Sequence, residues 1–231
     1  MFLSRFKNVL FLLTRLLNFA MLFTQVIRKK YGDFLEHYFT NNANLKSELR
    51  LITYENKDTV FSFYSDLGVF SKDKIDYGSR VLVDTILKEE KKEGLKILDM
   101  GCGYGFIGIT LSKLLKSESL MVDVNKRALH LCERNIKENK AIGSTLLSDV
   151  YQNVEGKFDI IVTNPPIRAG KDVVLNILVG AKDYLQKEGV LWFVIRKDQG
   201  AKSILKLLEE TYHCEVVKKD KGFYIMRAKI Y

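Results

Sequence analysis

The chain has 231 residues, 47% of them hydrophobic, and a net charge of +9 from 37 basic and 28 acidic side chains. That length fits one large domain or two small ones, and that hydrophobic share places the chain with globular proteins able to bury a sizeable core. The basic excess fits nucleic acid or an anionic membrane surface as partner, and the three cysteines, Cys102, Cys132 and Cys214, are odd in number and lack metal-ligand spacing, which argues against a disulfide scaffold or a metal site and for a reducing, cytoplasmic setting.

Residues 1–30 are rich in Leu and Phe and flanked by Arg and Lys. They carry no small-residue cleavage site, so a secretory signal is not expected. As a membrane span over 8–27 the segment is compromised by Arg15 and Asn18, and its insertion balance lies near zero. A basic amphipathic helix lying on a surface fits equally, and a start at Met21 is a third reading. We expect 1–36 to be a non-essential basic extension, with membrane contact open but not predicted, and 37–231 to be one domain made of a hairpin region (37–75) and a catalytic core (76–231).

Within 48–65, apolar and β-branched residues flank Asn56-Lys57-Asp58, which predicts a small hairpin. Val81, Leu82, Ile86 and Leu87 have helical spacing within 76–93. The period then alternates. Strands are expected over 96–100, 120–124, 144–148, 158–163 and 190–195, and helices over 106–115, 126–139, 171–185 and 201–212. Two β-rich runs around Asp220-Lys221-Gly222 close the chain as a hairpin. This pattern predicts an α/β fold with a mostly parallel sheet and an antiparallel edge. Ligands of such sheets bind beyond the carboxyl ends of the strands.

Three strand ends carry acids or glycines that suit a nucleoside ligand. "ILDMGCGYGFIG" follows a strand and opens a helix, but a dinucleotide fingerprint would need glycine at Phe106. The pattern is instead Asp99-x-Gly101-x-Gly103-x-Gly105, in which the ligand body can lie against bare backbone and Asp99 offers an acceptor for a cationic amine. Asp123 ends the next strand, where an acid can accept both ribose hydroxyls. Asp149 ends the third and can accept from an adenine amine. A tight turn and exposed strand-end carboxylates are the plainer alternatives for these positions. The only two prolines, Pro165 and Pro166, follow a strand and Asn164. They read either as a strand terminator or as a rigid rim that aims Asn164 and backbone carbonyls at a ligand.

In combination these features resemble the class I S-adenosylmethionine-dependent methyltransferases, which implies a Rossmann-like sheet of seven strands ending in an antiparallel hairpin. In that family an (Asn/Asp)-Pro-Pro-aromatic motif after the fourth strand marks methylation of a planar nitrogen. By that resemblance Asn164, Pro165, Pro166 and Ile167 are the catalytic motif, with Ile167 in the aromatic's place, and Asp99, Gly101, Gly103, Gly105, Asp123 and Asp149 hold S-adenosylmethionine. The stretch 63–86 (Gly68-Val69-Phe70-Ser71, then Asp76-x-Gly78-Ser79), together with "NPPIRAGK", is similar to the ribosomal RNA small-subunit methyltransferase C group. That similarity implies methylation of guanine N2 in 16S rRNA, by a single-domain form acting on rRNA or a ribosomal subunit. Arg168, Lys171, Arg196 and Lys197 lie near strand ends and are candidate phosphate contacts. A glutamine-amide or adenine-N6 methyltransferase, and an inert RNA-binding assembly module, remain alternatives at this point.

Overall fold

The structure is a computed structural model and describes residues 46–231; the extension expected over 1–36 lies outside the described residues. Strands β1 (Arg50–Asn56) and β2 (Thr59–Ser65) form an antiparallel hairpin on the two-residue turn Lys57-Asp58. Helix α1 (Tyr77–Glu89) begins at an N-cap, Asp76, whose carboxylate accepts from the Ser79 N–H at 2.8 Å. Such a cap satisfies one of the orphan donors of the first turn.

From there strands and helices alternate: β3 (Lys96–Met100), α2 (Phe106–Leu114), β4 (Glu118–Asp123), α3 (Lys126–Glu138), β5 (Gly143–Leu147), β6 (Phe158–Thr163), α4 (Lys171–Gly180), β7 (Leu185–Arg196), α5 (Ala201–Leu208), β8 (Tyr212–Asp220) and β9 (Phe223–Ile230). The seven strands from β3 to β9 make one sheet in the order β5-β4-β3-β6-β7-β9-β8. Five are parallel, and β9 runs antiparallel to both β7 and β8. The central strands are near-continuous apolar runs because helices cover both faces. Residues of α1, α2 and α3 pack one face with the hairpin, and residues of α4 and α5 pack the other. The chain leaves β3 in one direction and reaches β6 in the other, so the sheet's switch point falls between these two strands.

Helix α3 also completes the small hairpin. Asn135 accepts from Tyr64 N–H at 2.7 Å and donates to Tyr64 C=O at 2.9 Å. One turn on, Asn139 makes the same exchange with Ser62 at 3.0 and 2.8 Å. The match is geometric: four helical residues rise about 6 Å and two strand residues about 6.8 Å. Two carboxamides thus stand in for a third strand on the free edge of β2.

Several boundaries differ from expectation. The fourth helix stops at Gly180, is followed by a 3-10 turn (Ala181–Asp183), and does not reach Leu185, which opens β7. The last helix ends at Leu208 rather than Tyr212, because Tyr212 is a fully buried strand residue whose hydroxyl donates to the carbonyls of Leu178 and Val179. The first helix stops at Glu89, short of residue 93. The closing hairpin turns on Lys221-Gly222, both at positive φ, as a two-residue hairpin turn of this type requires. Among the described residues no helix is long and apolar enough to cross a membrane.

Candidate active site

The loop from β3 to α2 is folded over the end of β4. Gly101 and Cys102 donate their N–H groups to Val122 C=O at 2.8 and 2.9 Å, and Gly103 donates to Asp123 Oδ2 at 2.9 Å. Gly105 caps α2 in the left-handed region at φ 91°, and a Cβ there would stand 2.5 Å from Cys132 Sγ and 2.8 Å from Ile109 Cδ1. Gly103 is different. It is also left-handed, at φ 56°, yet no atom lies within 4 Å of where its Cβ would be. One glycine is required by packing, while the other leaves an open face of backbone.

Asp123 is half-buried at the end of β4, with Oδ1 taking the Asn125 N–H at 2.8 Å. Burial raises its pKa, opposed by the N–H donors of Asn125, Gly103 and Val124. Each carboxylate oxygen keeps a further lone pair, so the group can still accept from a ligand. Asp149 is exposed two residues beyond β5, and its neighbour Ser148 donates its N–H to Asp123 C=O at 3.2 Å, which ties the loop after β5 to the end of β4.

Asp99 is sealed, 0% exposed. Its Oδ2 accepts from Gly108 N–H at 2.8 Å while Oδ1 has no partner. Burial, helped by the charge of Asp123 and resisted by the Gly108 N–H, pushes its pKa from the ordinary 3.8 up to about 7. Between those values the folded protein holds a proton that the unfolded chain has released, so this carboxyl makes stability fall as pH rises from about 4 to about 7. Asp99→Asn is expected to flatten that slope in urea titrations of the ligand-free protein. Parallel slopes for the two proteins would mean that the carboxyl stays ionised when folded.

Across the switch point, β6 ends at Thr163, whose hydroxyl donates to Met100 C=O at 2.7 Å and ties β6 to β3. Asn164 follows, half-buried. Its Nδ2 donates to Asp76 Oδ2 at 3.0 Å and to Ser79 Oγ at 2.8 Å, and among the described residues nothing donates to its Oδ1. Pro165 is buried, and Pro166 Cδ lies 3.9 Å from the Cβ position of Gly101, so the proline motif and the glycine loop flank one crevice. The Pro166 carbonyl is committed to Ala169 N–H at 2.9 Å, inside a 3-10 turn over Ile167–Ala169. Ile167 is half-buried against the core on the α4 and α5 face.

The candidate cations are exposed at the same edge. Arg168 lies in the 3-10 turn and Lys171 opens α4, while Arg196 and Lys197 follow β7. Arg196 is paired with Asp198 at 3.0 Å and sits 5.5 Å from the Phe223 ring. Of the lysines on the closing hairpin, Lys218 pairs with Asp220 at 3.2 Å and Lys221 lies 4.9 Å from the Tyr77 ring. Among the described residues no cluster of His, Cys, Asp or Glu could hold a metal ion.

The family model for the methyltransferase small domain matches residues 60–227, a span that holds the glycine loop, Asp123 and the proline motif. The chain belongs to the methyltransferase small domain family. It is 42% identical over 199 residues to the uncharacterized protein YbxB of Bacillus subtilis (strain 168), covering 84% of this chain and 98% of that protein. It is 37% identical over 138 residues to the ribosomal RNA small subunit methyltransferase C of Haemophilus influenzae (strain PittEE), covering 58% of this chain and 41% of that one. Among solved structures it resembles the T. thermophilus 16S rRNA N2 G1207 methyltransferase (RsmC) in complex with AdoMet and guanosine, with a TM-score of 0.72, 26% identity, and coverage of 81% of this chain and 52% of that one. This methyltransferase thus spans about half of those two enzymes.

Its cofactor is S-adenosylmethionine, and the residues present fit that molecule. The bare backbone at Gly103 offers an open face on which the ligand can lie. Asp123 and Asp149, at the ends of the neighbouring strands β4 and β5, are acceptors for hydroxyl and amine donors. The unpaired Oδ1 of buried Asp99 calls for a donor, and an amino group is one. The two glycines therefore predict a contrast. Gly105→Ala should destabilise the fold by roughly 2–4 kcal/mol, through left-handed strain and a clash in the core. Gly103→Ala should cost stability only about 1 kcal/mol and yet weaken cofactor binding at least tenfold. Thermal unfolding and calorimetry on both variants check it. Equal cofactor affinity for Gly103→Ala and wild type would remove the ligand from that face.

Sequence reasoning missed the residues that hold Asn164. Asp76 and Ser79 lie within 63–86, and Asp76 has the character of an N-cap, but nothing local links either to a position beyond residue 160. Tyr77, which donates to Asp220 at 2.9 Å and packs on Phe223, was missed for the same reason.

Proposed function

We propose that this protein transfers a methyl group from S-adenosylmethionine to an exocyclic amine, guanine N2 of small-subunit rRNA. The observation that carries the reading is Asn164. Its NH2 is occupied by Asp76 and Ser79, so the carboxamide presents an acceptor, and only an acceptor, to the crevice. A planar exocyclic amine has two N–H donors and a lone pair delocalised into the ring. With one N–H held by Asn164 Oδ1 and the other by the Pro165 carbonyl, that lone pair is localised and aimed. When bound, S-adenosylmethionine supplies an electrophilic methyl on a sulfonium. Transfer of that methyl to the amine nitrogen would leave a neutral thioether on the cofactor, and the surplus proton would go to water. Positioning and preorganised acceptors then supply the acceleration without a side-chain base.

The substrate class rests on the named relatives, a small-subunit rRNA methyltransferase and a 16S rRNA N2 methyltransferase. The net charge of +9 and the exposed Arg168, Lys171, Arg196 and Lys197 suit a phosphate backbone. The protein would act in the cytoplasm as a single methyltransferase domain over 37–231, with 1–36 separable from it. Mass mapping of rRNA methyl groups in cells with and without the protein tests the reading. Loss of one N2-methylguanine from small-subunit rRNA is the expected result. An unchanged rRNA map, with a methyl missing instead from a glutamine amide or adenine N6, would move the protein to another planar-nitrogen substrate.

A further inference from the structure

Asn164 does not orient itself. Its two amide hydrogens go to two residues of one helical turn, Asp76 at the N-cap of α1 and Ser79 at its third position. The same Asp76 oxygen also accepts the Ser79 N–H, so the cap that starts α1 and the clamp on Asn164 share one atom. Gly78 lies between them because a Cβ there would stand 2.8 Å from the Phe223 ring. The Asp-x-Gly-Ser string is thus a single device: a cap, a clearance for Phe223 and two acceptors facing the end of β6. A carboxamide can be rotated by half a turn with little change in shape, which would present NH2 where an oxygen is needed. A carboxylate and a hydroxyl acceptor on the nitrogen side forbid that flip.

We propose that Asp76 and Ser79 are positioning residues that fix the carboxamide of Asn164, and that the Asp76 carboxylate makes this site specific for asparagine over aspartate at position 164. The proposal rests on the methyl-transfer reading of the same crevice. Its chemistry is electrostatic. A carboxylate introduced at 164 would face that of Asp76 at about the present 3.0 Å, where two like charges cannot both stay ionised at little cost. At low pH the pair would hold one proton between them, and at high pH it would lose that proton and the two carboxylates would repel each other. In the protonated form the introduced group donates to Asp76 and leaves an acceptor oxygen toward the crevice, as the native carboxamide does.

The test is single-turnover methylation of small ribosomal subunits from cells lacking the protein, with labelled S-adenosylmethionine, across pH 6 to 9. Ser79→Ala keeps the N–H that caps α1 and removes one acceptor. The rate should drop roughly tenfold, with RNA and cofactor affinities unchanged. Asp76→Asn still offers an oxygen acceptor and should stay within a few-fold of wild type. Asn164→Asp should be poor at pH 8 and recover as the pH falls, because the shared proton returns. Adding Asp76→Asn to it removes the repulsion and should restore at least tenfold at pH 8, with the pH dependence lost. Asn164→Asp activity that is flat with pH and indifferent to Asp76→Asn would overturn the proposal, as would a wild-type rate for Ser79→Ala.

The clamp is also read without turnover. The two Asn164 side-chain amide protons should be shifted downfield and slow to exchange in 15N-edited NMR spectra of the wild type; in Ser79→Ala the proton given to Ser79 should become normal while the one given to Asp76 stays shifted. If the wild type methylates no RNA, the functional reading falls, and these signals alone decide the clamp. Ordinary, fast-exchanging Asn164 amide protons in the wild type would sink it.

Discussion

Asn164→Ala is expected to slow methyl transfer by roughly 10²–10³, the usual cost of removing one preorganised acceptor from a reaction centre. The effect should fall on the chemical step. Cofactor affinity should change little, because the glycine loop and Asp123 lie on β3 and β4, across the switch point from β6. RNA affinity should also hold, since phosphate contacts dominate it. The fold should survive, because Asp76 keeps its bond to Ser79 N–H and Thr163 keeps its bond to Met100. Single-turnover methylation beside separate binding isotherms distinguishes these terms. A wild-type rate would reduce the proline motif to a strand terminator, which two adjacent prolines after an apolar run explain equally well by local rules.

The two halves of the site differed in how far the sequence could show them. The glycine loop and Asp123 were readable because the information is local. A strand end, three glycines and a helix start lie within twelve residues, and the next acid follows one crossover later. The clamp on Asn164 was not readable, because its partners lie 88 and 85 positions away and meet it only when α1 is docked beside β6. The asparagines that complete β2 behave likewise, bridging 71 and 77 positions. Helix ends failed for a related reason. Leu185 and Tyr212 are buried strand residues next to helices, and their apolar character extended the helical period past its true end. The opposite error hid the start of β7, in which Gln186, Lys187 and Glu188, directly after Leu185, are exposed and polar and carry no strand signal.

Asp123→Ala is expected to weaken cofactor binding by roughly 1.5–3 kcal/mol, about 10–150-fold in Kd, the scale of hydrogen bonds to a charged group. The structure adds a second loss. Asp123 holds the N–H of Gly103 and of Asn125, so its removal also unpins the loop on which the ligand is to lie. Asp123→Asn separates the two contributions, since a carboxamide oxygen can still accept one of those N–H groups while the second ligand acceptor and the charge are gone. Its affinity should fall between alanine and wild type, with thermal stability nearer to wild type than alanine shows. The sign of the pH effect follows from the raised pKa of Asp123, which burial causes. The carboxylate is the form that accepts from two hydroxyls at once. Lowering the pH through that raised pKa should therefore weaken cofactor binding more steeply in the wild type than in Asp123→Asn, where Asp99 alone of the two still titrates. Calorimetry with S-adenosylmethionine, repeated at several pH values on all three proteins, gives both readouts. Wild-type affinity in Asp123→Ala would move the ribose contact elsewhere on the crevice and leave Asp123 as a brace for Gly103 alone.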